Sequence, residues 1–251
     1  VMRLMLPAAL LGVSCLILSA YRGYAHQLAP AITLEGETSR NYIGQSAAFF
    51  EDRGKRLSIS DVSSREFRDR FVRSDDAIMN FGYSSSAYWI RFSVENRSSA
   101  HGKWFIECAY PLLDDIRFFM PAGGGFVEKK SGRVYPYGSR EAHLRAFAVE
   151  ISPPPGVVTE YFIRVESKNS LSVPISIKTK DDLAGRDRHE RFVLGMYYGV
   201  ILVMILYNLF IFFTVRDVNY LYYVCTLVFA HLLFHLGING LFYDVTGSDA
   251  L

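Results

Sequence analysis

The feature that most restricts the fold is a stretch of 24 residues, 192–215, without a single charged side chain. As a helix rising about 1.5 Å per residue it reaches roughly 36 Å, enough to cross a hydrocarbon core with some tilt. Arg216-Asp217-Val218-Asn219 then supplies a turn with two charges, and residues 220–242 form a second uncharged stretch. Tyr220, Tyr222 and Tyr223 at its start suit a membrane–water interface. The sequence therefore predicts two membrane-spanning helices, 192–215 and 220–242, joined by the turn 216–219 and followed by an end segment, 243–251. A buried hairpin in a water-soluble protein is disfavoured at these lengths.

Residues 1–25 read as a secretion signal. Arg3 is a minimal positive start, Leu4 to Leu18 is apolar, and Gly23-Tyr24-Ala25 places small residues where a signal peptidase cuts. An uncleaved anchor and a lipoprotein attached at Cys15 are the alternatives. The latter lacks the usual aliphatic residue three before the cysteine. Val1 is consistent with an alternative bacterial start codon. Export of the following domain makes the first span run inward and the 216–219 turn cytoplasmic. Arg186, Arg188 and Arg191 then lie outside, against the positive-inside tendency, and the interspersed Asp181, Asp182, Asp187 and Glu190 count for little in that rule. The signal and a pre-folded domain decide the orientation: a multi-pass protein of the bacterial inner membrane with its N-terminal domain in the periplasm.

Half of the residues are apolar and 15% are aromatic, an excess concentrated in the two spans. Between His26 and Arg191 there are 24 Lys/Arg against 22 Asp/Glu, with no basic stripe of the kind phosphate backbones require, so nucleic acid is excluded as a partner. Of the three cysteines, Cys15 lies in the signal and Cys225 in the second span. Cys108 is thus alone in the middle region, where neither a disulfide framework nor a thiolate metal site can form.

From about Leu57 to Lys178 the chain alternates with period two, as half-buried strands do. Tyr88, Ile90, Phe92 and Val94 fall on one face and Trp89, Arg91, Ser93 and Glu95 on the other. Trp104, Ile106 and Cys108 repeat the pattern, as do Ile116, Phe118 and Met120. The sets Phe147/Val149/Ile151, Tyr161/Ile163/Val165 and Val173/Ile175/Ile177 follow. Turn residues fall between them at 96–99, 121–125, 131–132 and 153–156. The reading is mainly β, an antiparallel jelly roll or β-sandwich over 45–180. One helix precedes it, with Ser63 and Glu66 as a capping box ahead of Phe67 and Phe71. Residues 26–44 read as a loose leader and 181–191 as a charged connector to the membrane.

Catalytic constellations are missing. The adjacent pairs Asp75-Asp76, Asp114-Asp115 and Asp181-Asp182 point to opposite faces in a strand, so none makes a carboxylate dyad. His101, His143 and His189 stand apart, and Gly123-Gly124-Gly125 lacks the Lys-Ser/Thr of a phosphate loop. No enzyme activity, cofactor or metal is expected. Trp89, Trp104, Tyr110 and Tyr137, if exposed, could stack on a sugar ring, with Arg91 beside Trp89 on one strand face; the competing reading makes most of them core. Ligand choice is expected in loops, 121–125 or 131–143. In the spans, Gly195 and Gly199 form a GxxxG pair suited to close helix packing. Asn208, His231, His235 and Asn239 need partners other than lipid. His231 and His235 share a helix face but lack the glutamate of a zinc protease, which favours packing and hydrogen bonding.

Gly82-Tyr83 with Ala87-Tyr88-Trp89-Ile90-Arg91-Phe92 resembles the core motif of a bacterial extracellular sensor domain. So do Trp104, the run from Tyr110-Pro111 to Asp115-Ile116, Ser131-Gly132, Arg145 and Tyr161-Phe162-Ile163-Arg164-Val165. The family is the 7TMR-DISM group, seven-transmembrane receptors with diverse intracellular signalling modules, whose type 2 extracellular domain is a jelly roll similar to carbohydrate-binding modules. Gly199, Tyr207-Asn208-Leu209, Asp217 and Tyr220-Leu221-Tyr222-Tyr223 resemble the first two helices of that family's membrane domain. The resemblance implies five more helices and a cytoplasmic output, commonly a diguanylate cyclase or a histidine kinase, beyond Leu251. It implies a small-molecule or carbohydrate ligand, the lipid bilayer, further helices and a signalling module as partners, with a homodimer among the arrangements. A membrane-tethered carbohydrate-binding module and a transporter subunit are the competing readings.

Overall fold

The ten-residue strand β5 (Ala87–Asn96) is the spine of the extramembrane domain. β10 (Val158–Glu166) runs antiparallel along one side of it, and β2 (Ala47–Asp52) along the other. In this computed structural model, which describes residues 29–35, 42–98, 102–136 and 146–237, β3 (Val72–Arg73), β7 (Asp115–Ala122) and β8 (Gly125–Ser131) extend the sheet to the order β3-β2-β5-β10-β7-β8. The seventh member, β1 (Ile32–Leu34), pairs in parallel with β5 beyond the start of β2. This corrects the reading of 26–44 as wholly loose: three residues carry too little pattern to be seen as a strand.

A second sheet has the order β12-β6-β9, built from Ile175–Thr179, Trp104–Cys108 and Phe147–Ile151. A small ribbon pairs β4 (Met79–Asn80) with β11 (Ser172–Val173). The period-two residues meet between the sheets. Tyr88, Ile90, Phe92 and Val94 face Trp104, Ile106 and Cys108, with the sets on β7, β9, β10 and β12 closing the same core. Each large apolar side chain enclosed there contributes about 1.5–3 kcal/mol. The Cys108 thiol is pushed up to about 12 by this burial.

The outer face of the larger sheet is also covered. Trp89, Phe119 and Phe162 lie under Val62, Phe67 and Phe71 from a short helical segment. That segment is α1 (Ile59–Val62) followed by a 3-10 stretch, Arg65–Arg70. Its capping box is Ser58 with Asp61, five residues before the expected Ser63 and Glu66, because the chain turns onto the sheet earlier; Ser64 caps the 3-10 stretch without a side-chain bond.

α2 (Lys180–Val215) follows β12 directly. The Thr179 hydroxyl accepts from the Asp182 N–H at 3.3 Å, and Asp181 and Asp182 complement the helix dipole. The expected connector is therefore not a separate element: 181–191 are the first three turns of one 36-residue helix, about 54 Å long. Arg216 ends it in the left-handed region at φ 56°. α3 (Val218–Gly237) begins two residues before the expected second span and packs back on α2. Among the described residues only α2 is long and apolar enough to cross a membrane alone; the apolar part of α3 is described over Val218–Leu233. The signal, 1–25, and the end segment, 243–251, lie outside the described residues.

Candidate functional site

Small outward side chains leave a hollow in an otherwise bulky sheet face. On β2 and β5, Phe50 and Trp89 are paired neighbours, whereas one step along Ala48 lies opposite Arg91, and Ser93 lies opposite Glu160 of β10. The 3-10 stretch walls this hollow. Its three-residue period brings Arg65 and Arg68 to one side, and Phe71 closes the floor. Arg73 of β3 and the alanines Ala29 and Ala31 ahead of β1 complete a cleft of about 730 Å³.

Arg91 lies at its base, 8% exposed. Its Nε donates to Glu160 Oε1, and its guanidinium carbon sits 5.8 Å from the Phe71 ring centre. Stacking is thus on Phe71, not on Trp89 as the shared strand face suggested. Glu160 also accepts from Arg68 Nη2 at 3.4 Å, and Arg73 Nε donates to the Gln45 carbonyl at 3.3 Å. Four arginines, with Asp69 and Glu160 as the only carboxylates among the described lining residues, leave the cleft electropositive.

The rest of the same sheet face is balanced. Arg117 bonds Asp115 and Glu128, and Arg164 bonds Asp115 and Glu166. Lys55 bonds Glu166 at 2.6 Å. Burial raises the Glu166 carboxyl, but hydrogen bonds from Lys55 and Arg164 outweigh it and hold the group below its ordinary range. A second hollow of about 610 Å³ lies between the Gly123-Gly124 turn and the 152–157 loop, with Tyr161 and Glu150 on its walls; part of the ligand-loop expectation, 121–125, falls here.

The stacking platforms are placed otherwise. Trp89 and Trp104 are each 1% exposed, one beneath the helical segment and the other between the sheets, so neither offers a face to a sugar. Their burial depends on a covering layer that strand alternation does not reveal. Tyr110 is half-buried against the main core. Tyr137 lies outside the described residues, as does 137–143 of the second loop expectation.

A joint ties the smaller sheet to α2. Glu107, 1% exposed on the outer side of β6, accepts from Ser176 Oγ at 3.0 Å and from Arg186 Nη1 at 2.9 Å. Leu183 is buried one turn earlier. Burial lowers the Arg186 guanidinium, but the negative charges of Glu107 and Glu190 outweigh it and raise it above its ordinary value.

In the helices, His231 Nδ1 lies 2.6 Å from the Leu227 carbonyl, which can only accept, so that nitrogen carries the proton. Nε2 lies 2.8 Å from the Tyr197 hydroxyl of α2, a hydrogen bond between the two helices. Asn208 donates to Met204 O of its own helix at 2.7 Å. Both polar groups thus find partners within the hairpin. Gly195 and Gly199 are exposed, and, their own helical turn aside, none of the described residues comes within 4 Å of where a Cβ would stand. The His235 side chain and Asn239 lie outside the described residues. No group of three His, Cys, Asp or Glu able to hold a metal occurs among the described residues.

The chain matches two family descriptions in tandem. Residues 44–179 match 7TMR-DISM extracellular 2, and residues 190–250 match 7TM diverse intracellular signalling. Among solved structures, the family 32 CBM from C. perfringens NanJ in complex with galactose is similar at 8% identity and a TM-score of 0.23, over 56% of this chain and 98% of that one. No curated protein matches the chain. The chain belongs to the 7TMR-DISM family: it carries the periplasmic sensing domain and the start of the membrane domain of such a receptor, with no catalytic module in either matched part.

Proposed function

We propose that this member of the 7TMR-DISM family reports ligand occupancy of its periplasmic sandwich to the membrane through α2. The observation that carries the reading is the continuity of that helix. It starts at the end of β12, is held on the smaller sheet by Leu183 and the Arg186–Glu107–Ser176 contacts, and runs unbroken into the uncharged stretch. A helix of this kind transmits rotation or translation, whereas a loose linker absorbs it. Ligand binding that favours one seating of Arg186 on Glu107 shifts the population of helix arrangements by its differential affinity for the two. The output, a cyclase or a kinase as the family resemblance implies, then reads the helix packing.

The test is a receptor carrying its output module. Inserting a flexible Gly-Ser segment between Arg188 and His189 should abolish ligand-dependent output while the chain still reaches the membrane. Undiminished ligand response in that variant would overturn direct coupling through the helix.

A further inference from the structure

The cleft beneath the 3-10 stretch has features that folding does not require. Elsewhere on that sheet face Arg117 and Arg164 meet carboxylates in proportion, at Asp115, Glu128 and Glu166. In the cleft, among the described residues, Arg91 uses only Nε in a hydrogen bond and both terminal nitrogens have no such partner; Arg65 has no acidic partner. These terminal nitrogens open onto the cleft, where an acceptor on an incoming ligand takes the place of water.

We propose that this cleft is the binding site for a small organic anion, a carboxylate or phosphate on a polar, hydroxyl-bearing body. The planar terminal nitrogens of Arg91 suit two parallel hydrogen bonds to such a group. Arg65 and Arg68 at the rim add charge that draws an anion in and neutralises it once seated. Asp69 and Ser93 offer hydrogen bonds to hydroxyls, and Phe71 an apolar wall. The volume, about 730 Å³, lies in the range of sites that enclose a small ligand. The strand pairing of Ser93 with Glu160 puts this site on β5 and β10, at the centre of the larger sheet.

The proposal rests on the sandwich being the sensing part, and its test is independent of signalling. The whole chain in nanodiscs is titrated by calorimetry with D-glucuronate and with glucose 6-phosphate, and with D-glucose as the neutral control. One or both anions should bind saturably and glucose should not; which anion binds separates a carboxylate from a phosphate ligand. R65E/R68E changes two exposed side chains, keeps Arg91 on Glu160, and should weaken anion binding by about tenfold or more. Arg91→Lys should weaken it as well, with folding checked by the fluorescence of the two tryptophans. Failure of both anions to bind, equal binding of glucose, or undiminished binding by R65E/R68E would each overturn the assignment. Loss of anion binding with helix coupling intact would overturn only the ligand, and the converse only the coupling.

Discussion

Single side chains on the outer sheet face do different work according to how their charges are met. Glu166 lies at the end of β10 with Lys55 and Arg164 both donating to it, at 2.6 and 2.8 Å. Its folded pKa lies below its ordinary value, so its contribution is present above the unfolded pKa of about 4.3 and is lost as pH falls through the folded value. Because the group is partly exposed, the pair contributes no more than about 1 kcal/mol. Glu166→Gln should therefore lower the unfolding midpoint slightly and equally from pH 7 to about pH 5, with the difference from wild type shrinking below about pH 4. Thermal unfolding across that pH series checks it, and a difference that grew on acidification would contradict the assignment. Gly132 shows a residue kept for space: at φ 133° an added Cβ would stand 2.2 Å from the Asp114 carbonyl oxygen, so the Ser131-Gly132 motif is a backbone requirement.

At the scale of elements, the proposed coupling of sandwich and membrane helix rests on the seam between β6, β12 and α2. Removing Arg186 leaves the Glu107 carboxylate buried with Ser176 alone. Arg186→Ala should cost about 2–3 kcal/mol, less than for a fully enclosed pair because Arg186 is itself about a third exposed. Adding Glu107→Gln should recover part of this loss, giving a coupling of about 1 kcal/mol. Urea unfolding followed by the fluorescence of Trp89 and Trp104, both buried in the extramembrane domain, measures it; purely additive effects would show the pair to be idle. The strands around this seam were legible because period two is a local signal, and every alternating set from Tyr88 to Ile177 reached the core. The contacts on which the proposed coupling and the proposed binding site rest were not. Arg186 lies 79 residues from Glu107 and Arg91 lies 69 from Glu160, and no local pattern brings such pairs together. The one local clue to the cleft was the run of four arginines between Arg65 and Arg73, which only a three-residue helical period and a sheet behind it convert into a wall.

For the whole molecule, the arginines at the outer end of α2 oppose the usual charge asymmetry, and their acidic neighbours do not lift that conflict, though they do fix the side chains in place. Arg186 is paired with Glu107 and Glu190, and Arg191 with Asp187 one turn away, so these cations are held on the folded domain and on their own helix. A sandwich that has folded in the periplasm, with its two sheets closed by long-range pairing, cannot be drawn back across a bilayer, and this outweighs a few juxtamembrane charges. The opposite end of α2 carries Arg216 and Asp217 in a tight turn, closed by the Arg216 N–H on Phe212 O at 2.7 Å. If the sandwich is outside and α2 crosses once, that turn faces the cytoplasm. In a background with its cysteines changed to alanine, Arg216→Cys should resist a membrane-impermeant maleimide in intact spheroplasts and react after permeabilisation. Tyr83→Cys, on an exposed part of the sandwich, should react in both. The reverse pattern would place the turn outside and require α2 to enter the membrane from the other side.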